Sequence, residues 1–278
     1  MNVKLSEELK MLKEMAYKFA VAEFTPHIRE CDEHETYTPE IRKKAAANGL
    51  VGAWIPDAYG GAGAGILGNA VITEELSKID MGIGLNVVAA CFGCESIFQY
   101  GSEEQKKKWL PPVCAGEMVS AGAFTEPNAG TDVAGYKTRA VKQGDRYVIN
   151  GNKMFITNGT VCDFMVAQCI TNPDEKKHNS FSLIIVPADT PGVTRNKIRG
   201  KMGIRSSDTA EIAFEDVKVP VTNLVGKEGK GFYELMHFFD TTRVMVSAQG
   251  LGLSEACLEA SVKYCKERTA FGAPLGSY

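Results

Sequence analysis

The sequence predicts an α+β chain in three parts. These are an N-terminal all-α domain over residues 1–118, a middle antiparallel β-barrel or sandwich domain over 119–228, and the start of a C-terminal helical-bundle domain over 229–278. Three observations carry this. Apolar residues recur at three- and four-residue steps up to about Glu117. From Val119 to Val217 they come instead in short, β-branched and aromatic runs parted by turn residues, and from Gly229 the helical spacing returns.

Taken in order, Leu9, Leu12, Met15, Ala16, Phe19 and Ala20 form an apolar stripe on a helix reaching to about Arg29, with Ser6 as N-cap. Thr38-Pro39-Glu40 opens a second helix that Gly49 ends. Asp57 to Gly65 is a glycine-rich loop, but no Lys-Ser or Lys-Thr follows it and no strand leads into it, so it is not a phosphate loop. Helices are expected over Gly68–Lys78 and Leu85–Tyr100. A fifth opens at the Ser102/Gln105 capping box and stops at Pro111-Pro112. Strands follow at 119–124, 136–141, 146–149, 153–156, 164–171, 181–187 and 211–217. Asn150-Gly151 reads as the two-residue turn of a hairpin, since both residues tolerate positive φ. Phe232, Leu235, Met236 and Phe239 then stripe one helix, and Leu251–Glu267 forms another. Two helices leave their apolar faces uncovered, so further helices, from more sequence or a partner, are expected over them.

Composition narrows the function classes. With 44% apolar and 23% charged residues, the 278-residue chain reads as an ordinary soluble globular protein. A net charge of -3 gives no electrostatic footprint for nucleic acid or for a polybasic membrane contact. Lys106-Lys107-Lys108 sits among Glu103, Glu104 and Gln105 and reads as a solvated helix face. Charged residues from Lys4 to Glu14 interrupt every apolar run, which leaves no core for a signal peptide or a membrane-inserting helix. Eight cysteines in a chain of this length, mostly single and in apolar contexts, fit a reducing cytoplasm.

The chemistry concentrates in Ala121–Asp132 and Tyr147–Asn158. Backbone amides freed by Gly130, the hydroxyls of Thr125 and Thr131 and the flat ring of Phe155 suit a phosphorylated, planar cofactor. Read alone, the second stretch is simply a well-turned hairpin. Cys91-Phe92-Gly93-Cys94 lacks two further ligands for zinc, and none of the four histidines has partner spacing, so the pair reads as two small core residues and no metal is expected.

Four segments in register resemble the acyl-CoA dehydrogenase family: Thr125–Asp132, Asn150–Asn158, Phe214–Pro220 and Arg268–Gly272. The resemblance covers the whole chain from the Ile55-Pro56-Asp57-Ala58-Tyr59-Gly60-Gly61 loop onward. It implies FAD as cofactor, held by Phe124, Thr125, Gly130 and Thr131 on one side and by Phe155, Ile156 and Thr157 around the isoalloxazine ring, with Thr157 near its N5 edge. Most members of the family have tryptophan where this chain has Phe155, so stacking survives but the indole N–H is lost. The resemblance also implies an acyl-CoA substrate contacted by Thr131, Asp240 and Arg243, with Leu85, Val88 and Cys91 lining the acyl pocket. With no arginine among those three, an apolar acyl chain is favoured over a dicarboxylic one. Arg268 and Phe271 resemble residues that reach the FAD of a neighbouring subunit, which implies a homo-oligomer, a homotetramer by the family's habit. Electrons would pass to an electron-transferring flavoprotein.

The expected reaction is α,β-dehydrogenation of the thioester, with a carboxylate as base. In some members that base precedes the arginine of the Asp-x-x-Arg stretch, where this chain has Thr242. In most it lies on a later loop, past residue 278. The chain is therefore expected to be a fragment of a longer enzyme; Glu126 is read as shaping its loop rather than as a substitute base. The alternatives are an enoyl-CoA reductase or an acyl-CoA oxidase on the same fold, or a base-less module that binds flavin and CoA.

Overall fold

A computed structural model describes residues 4–278. The first helix, α1 (Glu7–Phe24), is capped by Ser6, whose Oγ accepts the Leu9 N–H. It ends five residues before the predicted Arg29, and a separate short helix, α2 (Ile28–His34), follows. Next come α3 (Pro39–Ala47), with Pro39 in its first turn, and α4 (Gly65–Ile79). The single helix expected from Leu85 to Tyr100 is broken into α5 (Met81–Val88) and α6 (Cys94–Tyr100). The break has a cause: Gly93 takes φ +101, and Cys91 leaves helical geometry to bridge Ser120. A Cβ on Gly93 would also lie 3.0 Å from the Ala121 carbonyl oxygen, closer than side chains ordinarily approach, which adds to the strain of the positive φ. Helix α7 (Glu103–Cys114) opens at the reciprocal Ser102/Gln105 capping box, and it runs through Pro111 and Pro112 rather than stopping there. Prolines near a helix end remove few backbone bonds, and the following turn is closed by the Ala115 amide donating to the Pro111 carbonyl.

Eight strands form the middle domain: β1 (Ser120–Ala123), β2 (Arg139–Gln143), β3 (Arg146–Thr157), β4 (Phe164–Ile170), β5 (Phe181–Pro187), β6 (Val193–Lys197), β7 (Thr209–Pro220) and β8 (Leu224–Val225). They run in the order β6-β7-β3-β2-β4-β5-β8, with β1 beside β4; the pairing is antiparallel except for β1 with β4 and the Arg139–Ile170 contact. The sheet is not closed and is sandwich-like. Its inner side carries Tyr147, Ile149, Met165, Ile184, Ile212 and Val217 in one apolar cluster.

The hairpin at Asn150-Gly151 is not formed. Residues 146–157 are one continuous strand that bulges between Ile149 and Gly151 against β7. Asn150 is occupied across the sheet: its Oδ1 accepts the Asp216 amide at 2.9 Å and its Nδ2 donates to Asp216 Oδ1 at 3.0 Å. Gly151 is needed for closeness instead of for turning, because a Cβ there would meet Thr138 Cα at 2.7 Å. The actual two-residue connection is Gly144-Asp145, between β2 and β3. Strand β6 had no counterpart in the sequence reading.

Beyond the sheet, the two helices expected after Gly229 are one 37-residue helix, α8 (Gly231–Glu267). Its first half crosses the domain boundary. Gly231 sits against the backbone of Ser182 in β5, and Gly252 against the Glu74 carbonyl of α4. Leu253, Leu258, Val262 and Tyr264 on its second half are exposed. A two-residue ribbon, β9 (Thr269–Ala270) with β10 (Ala273–Pro274), ends the chain. Among the described residues, no helix is long and apolar enough to cross a membrane.

Candidate functional site

The loop that leaves β1 is fixed from both sides. Lys153 of β3, 1% exposed, donates to the Phe124 carbonyl at 3.0 Å, to Glu126 Oε1 at 2.9 Å and to the Gln168 carbonyl at 2.8 Å. Glu126 also accepts the amides of Lys137 (2.6 Å) and Thr138 (2.9 Å). Burial would raise the Glu126 carboxyl, but the Lys153 ammonium and those amides outweigh it and hold the carboxyl below the usual carboxylate range. Burial in turn pulls Lys153 below the usual lysine range, against the pull of Glu126. Glu126 is thus fully engaged in shaping the loop and is not a free base. A further bond, the Met154 amide to the Thr125 carbonyl at 2.8 Å, ties the loop to the end of β3. The two stretches singled out from sequence therefore lie side by side, joined at their midpoints.

Phe155 is the anomaly of β3. It stands 64% exposed with φ +59, a conformation that strains a bulky side chain. Thr157 is half-buried two residues on, whereas Ile156, expected at the ring, is buried in the sheet core and paired with Ala210 of β7. Asn158, also at positive φ, donates to the Ala89 and Ser120 carbonyls and locks this segment to the helical domain.

A cleft of about 720 Å³ lies between the Gly130–Thr131 turn and one face of α8. Gly130, Thr131, Thr242 and Arg243 share its wall, together with Phe92, Val133, Met236, Phe239, Val246 and Ser247, none of which was among the expected site residues. The stripe that Met236 and Phe239 begin continues through 243 and 246 at helical spacing, which was the available signal. None of the described residues on this wall is Asp, Glu or His. Thr242 is buried, its hydroxyl donating to the Phe238 carbonyl at 3.1 Å.

Other expected site residues fall elsewhere. Asp240 is exposed and outside the cleft wall. The Phe124 ring is buried against Phe238 and Phe239, with centroids 5.1 and 6.2 Å away, and its carbonyl accepts from Lys153, so the residue is 3% exposed and not open to a ligand. Val88 and Cys91 belong to the core of the helical domain and Leu85 packs on it; Phe92 is the residue of that segment that reaches the cleft. Cys91 and Cys94 are free buried thiols raised by burial, bonded to the Val88 carbonyl and the Ser120 hydroxyl. Arg268 and Phe271 lie past the end of α8, with Phe271 98% exposed, and neither lines the cleft.

This arrangement has relatives. The family models for acyl-CoA dehydrogenase match in order: the N-terminal domain over residues 6–117, the middle domain over 121–217 and the C-terminal domain over 229–278. The chain belongs to the acyl-CoA dehydrogenase family. It is 40% identical over 279 residues to a short-chain specific acyl-CoA dehydrogenase of Clostridium acetobutylicum, covering 100% of this chain and 73% of that one. An NADH-dependent acryloyl-CoA reductase of Anaerotignum propionicum is also 40% identical over 279 residues, covering 100% and 71%. The solved butyryl-CoA dehydrogenase of Megasphaera elsdenii has TM-score 0.94 at 37% identity, with 100% of this chain and 74% of that one covered.

Proposed function

We propose that this chain is the cofactor- and thioester-binding part of an FAD-dependent acyl-CoA dehydrogenase. The observation that carries the reading is Phe155: an exposed ring on a strained backbone, next to Thr157 and tied through Met154 to the Thr125–Thr131 loop. A large apolar ring held outward at such cost gains most when a flat partner covers it. The residues fit FAD. Phe155 and Thr157 would take the ring system, and the exposed Thr131 and half-buried Thr125, with the Gly130 backbone, would take the phosphates. Bound there, FAD supplies a hydride acceptor for the substrate β-carbon.

The chain's own residues do the remaining work. Lys153 and Glu126 hold the loop against β3, so the phosphate and ring contacts keep one spacing. Thr131 and Arg243 on the cleft wall would contact the CoA part of the thioester, with the exposed Asp240, three residues before Arg243 on α8, as a further proposed contact. Phe92, Phe239 and Val246 keep the cleft apolar, which strengthens polar interactions on a thioester carbonyl and raises the affinity for an apolar acyl chain. Removal of the α-proton needs a carboxylate, and among the described residues the cleft wall carries none. Arg268 and Phe271 would reach a neighbouring subunit of a homotetramer, and an electron-transferring flavoprotein would take the electrons. A cytoplasmic location accords with the unpaired thiols.

Incubation with FAD followed by desalting, then anaerobic addition of butyryl-CoA, tests this reading. A yellow protein whose flavin band shifts on thioester addition is expected. A colourless protein, or a flavin spectrum indifferent to every thioester, would overturn it. The relation to an acryloyl-CoA reductase keeps a second direction open on the same site, which the same cuvette tests with acryloyl-CoA and pre-reduced flavin.

A further inference from the structure

A second cavity, of about 180 Å³, lies between α6 and the opposite side of α8 from the thioester cleft. We propose that it binds a primary alkylammonium ion, with Glu95 and Glu234 accepting its N–H donors and Trp54 and Phe98 forming the wall for its alkyl part. The proposal does not depend on the flavin reading.

The cavity is equipped for a donor it does not find within the protein. Glu234 and Ser96, 6% and 1% exposed, both line it, and neither Glu234 Oε2 nor the Ser96 hydroxyl has a hydrogen-bond partner. Buried polar atoms left unpaired cost free energy, so two such residues on one wall call for a partner. Glu95 adds a second carboxylate, with one oxygen held by the Gly93 amide at 2.9 Å. No lysine or arginine side chain is on the wall, which excludes an anion. Aromatic faces at Trp54 and Phe98 favour a cation over a neutral donor. The space is large enough for a short amine.

The titratable groups around the space agree. Burial pushes the carboxyls of Glu95 and Glu234 up to about 7. A bound ammonium would draw both down, so binding should release protons and strengthen from about pH 6 to 8. The other titratable groups on its wall are Tyr100 of α6 and His237 of α8, whose Nδ1 bonds the Tyr100 hydroxyl at 2.8 Å; Lys106 of α7 lies off the wall, 5.9 Å from the Phe98 ring. None of them replaces the missing donor.

Isothermal titration with n-propylammonium chloride, against matched potassium chloride, tests the site in the full chain. Saturable binding is expected, weakened about tenfold or more in Glu95→Gln and in Glu234→Gln, and absent for n-propanol. Circular dichroism melts identify a variant that fails to fold, in which case the other variant and the pH dependence of wild-type binding decide. Equal binding of n-propanol, no saturable binding at about 100 mM, or undiminished binding in a folded variant would each overturn the proposal.

Discussion

Replacing Lys153 with methionine keeps the length and apolar stem of the side chain but deletes its ammonium. Three acceptors then lose their donor: the Phe124 carbonyl, Glu126 Oε1 and the Gln168 carbonyl. Glu126, 7% exposed, keeps only the two backbone amides of Lys137 and Thr138. Breaking a buried ion pair from one side typically costs about 3–5 kcal/mol, because the other charge stays buried without its partner. That is a fifth or more of the roughly 5–15 kcal/mol that holds a domain folded. Glu126→Gln removes the charge but keeps an acceptor for the amides, so it should cost less. The double variant should be more stable than the sum of the two losses predicts, with a coupling of about 1–3 kcal/mol. Urea denaturation of the four proteins, followed by tryptophan fluorescence, measures the cycle, and retention of added FAD reports the loop position. A Lys153→Met loss below about 1 kcal/mol, or strict additivity, would refute the idea that this pair organises the site.

Phe155→Gly should leave stability unchanged or raise it by up to about 1 kcal/mol, since glycine accepts φ +59 without strain, while FAD uptake falls; a clear loss of stability would contradict the strain argument. Thr157→Val should alter the absorbance spectrum of bound FAD, with little change in the melting curve; an unchanged flavin spectrum would remove its proposed place beside the ring. Gly252→Ala should destabilise by about 1–3 kcal/mol by driving a methyl into the Glu74 carbonyl of α4, and a neutral result in urea would mean that α8 shifts freely there. For pH, a carboxyl raised in the folded state from 4.5 to about 7 stabilises fully below 4.5 and loses that contribution as pH climbs through 7. Wild type minus Glu234→Gln should therefore become less favourable by up to about 3 kcal/mol between pH 4.5 and 8, and a pH-independent difference would refute the buried carboxyl.

Much of this protein was legible before any tertiary contact was known. Helix starts were read correctly where a local device sets them: Ser6 accepts its own first-turn amide, and Ser102 with Gln105 closes a box over three residues. The change of period at Val119 placed the sheet, because alternation and helical spacing are properties of neighbouring residues. The family followed from motifs whose order is itself sequence. Expectations failed where a distant segment decided. Asn150-Gly151 carries the chemistry of a turn, yet Asp216 on β7 takes both ends of the Asn150 amide and keeps the strand running. Gly93 and Cys91 break a helix because β1 passes beside them. Lys153 looked like one polar residue in a strand; only folding brings carbonyls from β4 and the loop after β1 around its ammonium. The sequence determined which segments would be helix and which sheet, since those depend on residues a few positions apart. The tertiary structure decided which polar groups are paired, which strand continues and which cleft opens, since each depends on partners far along the chain.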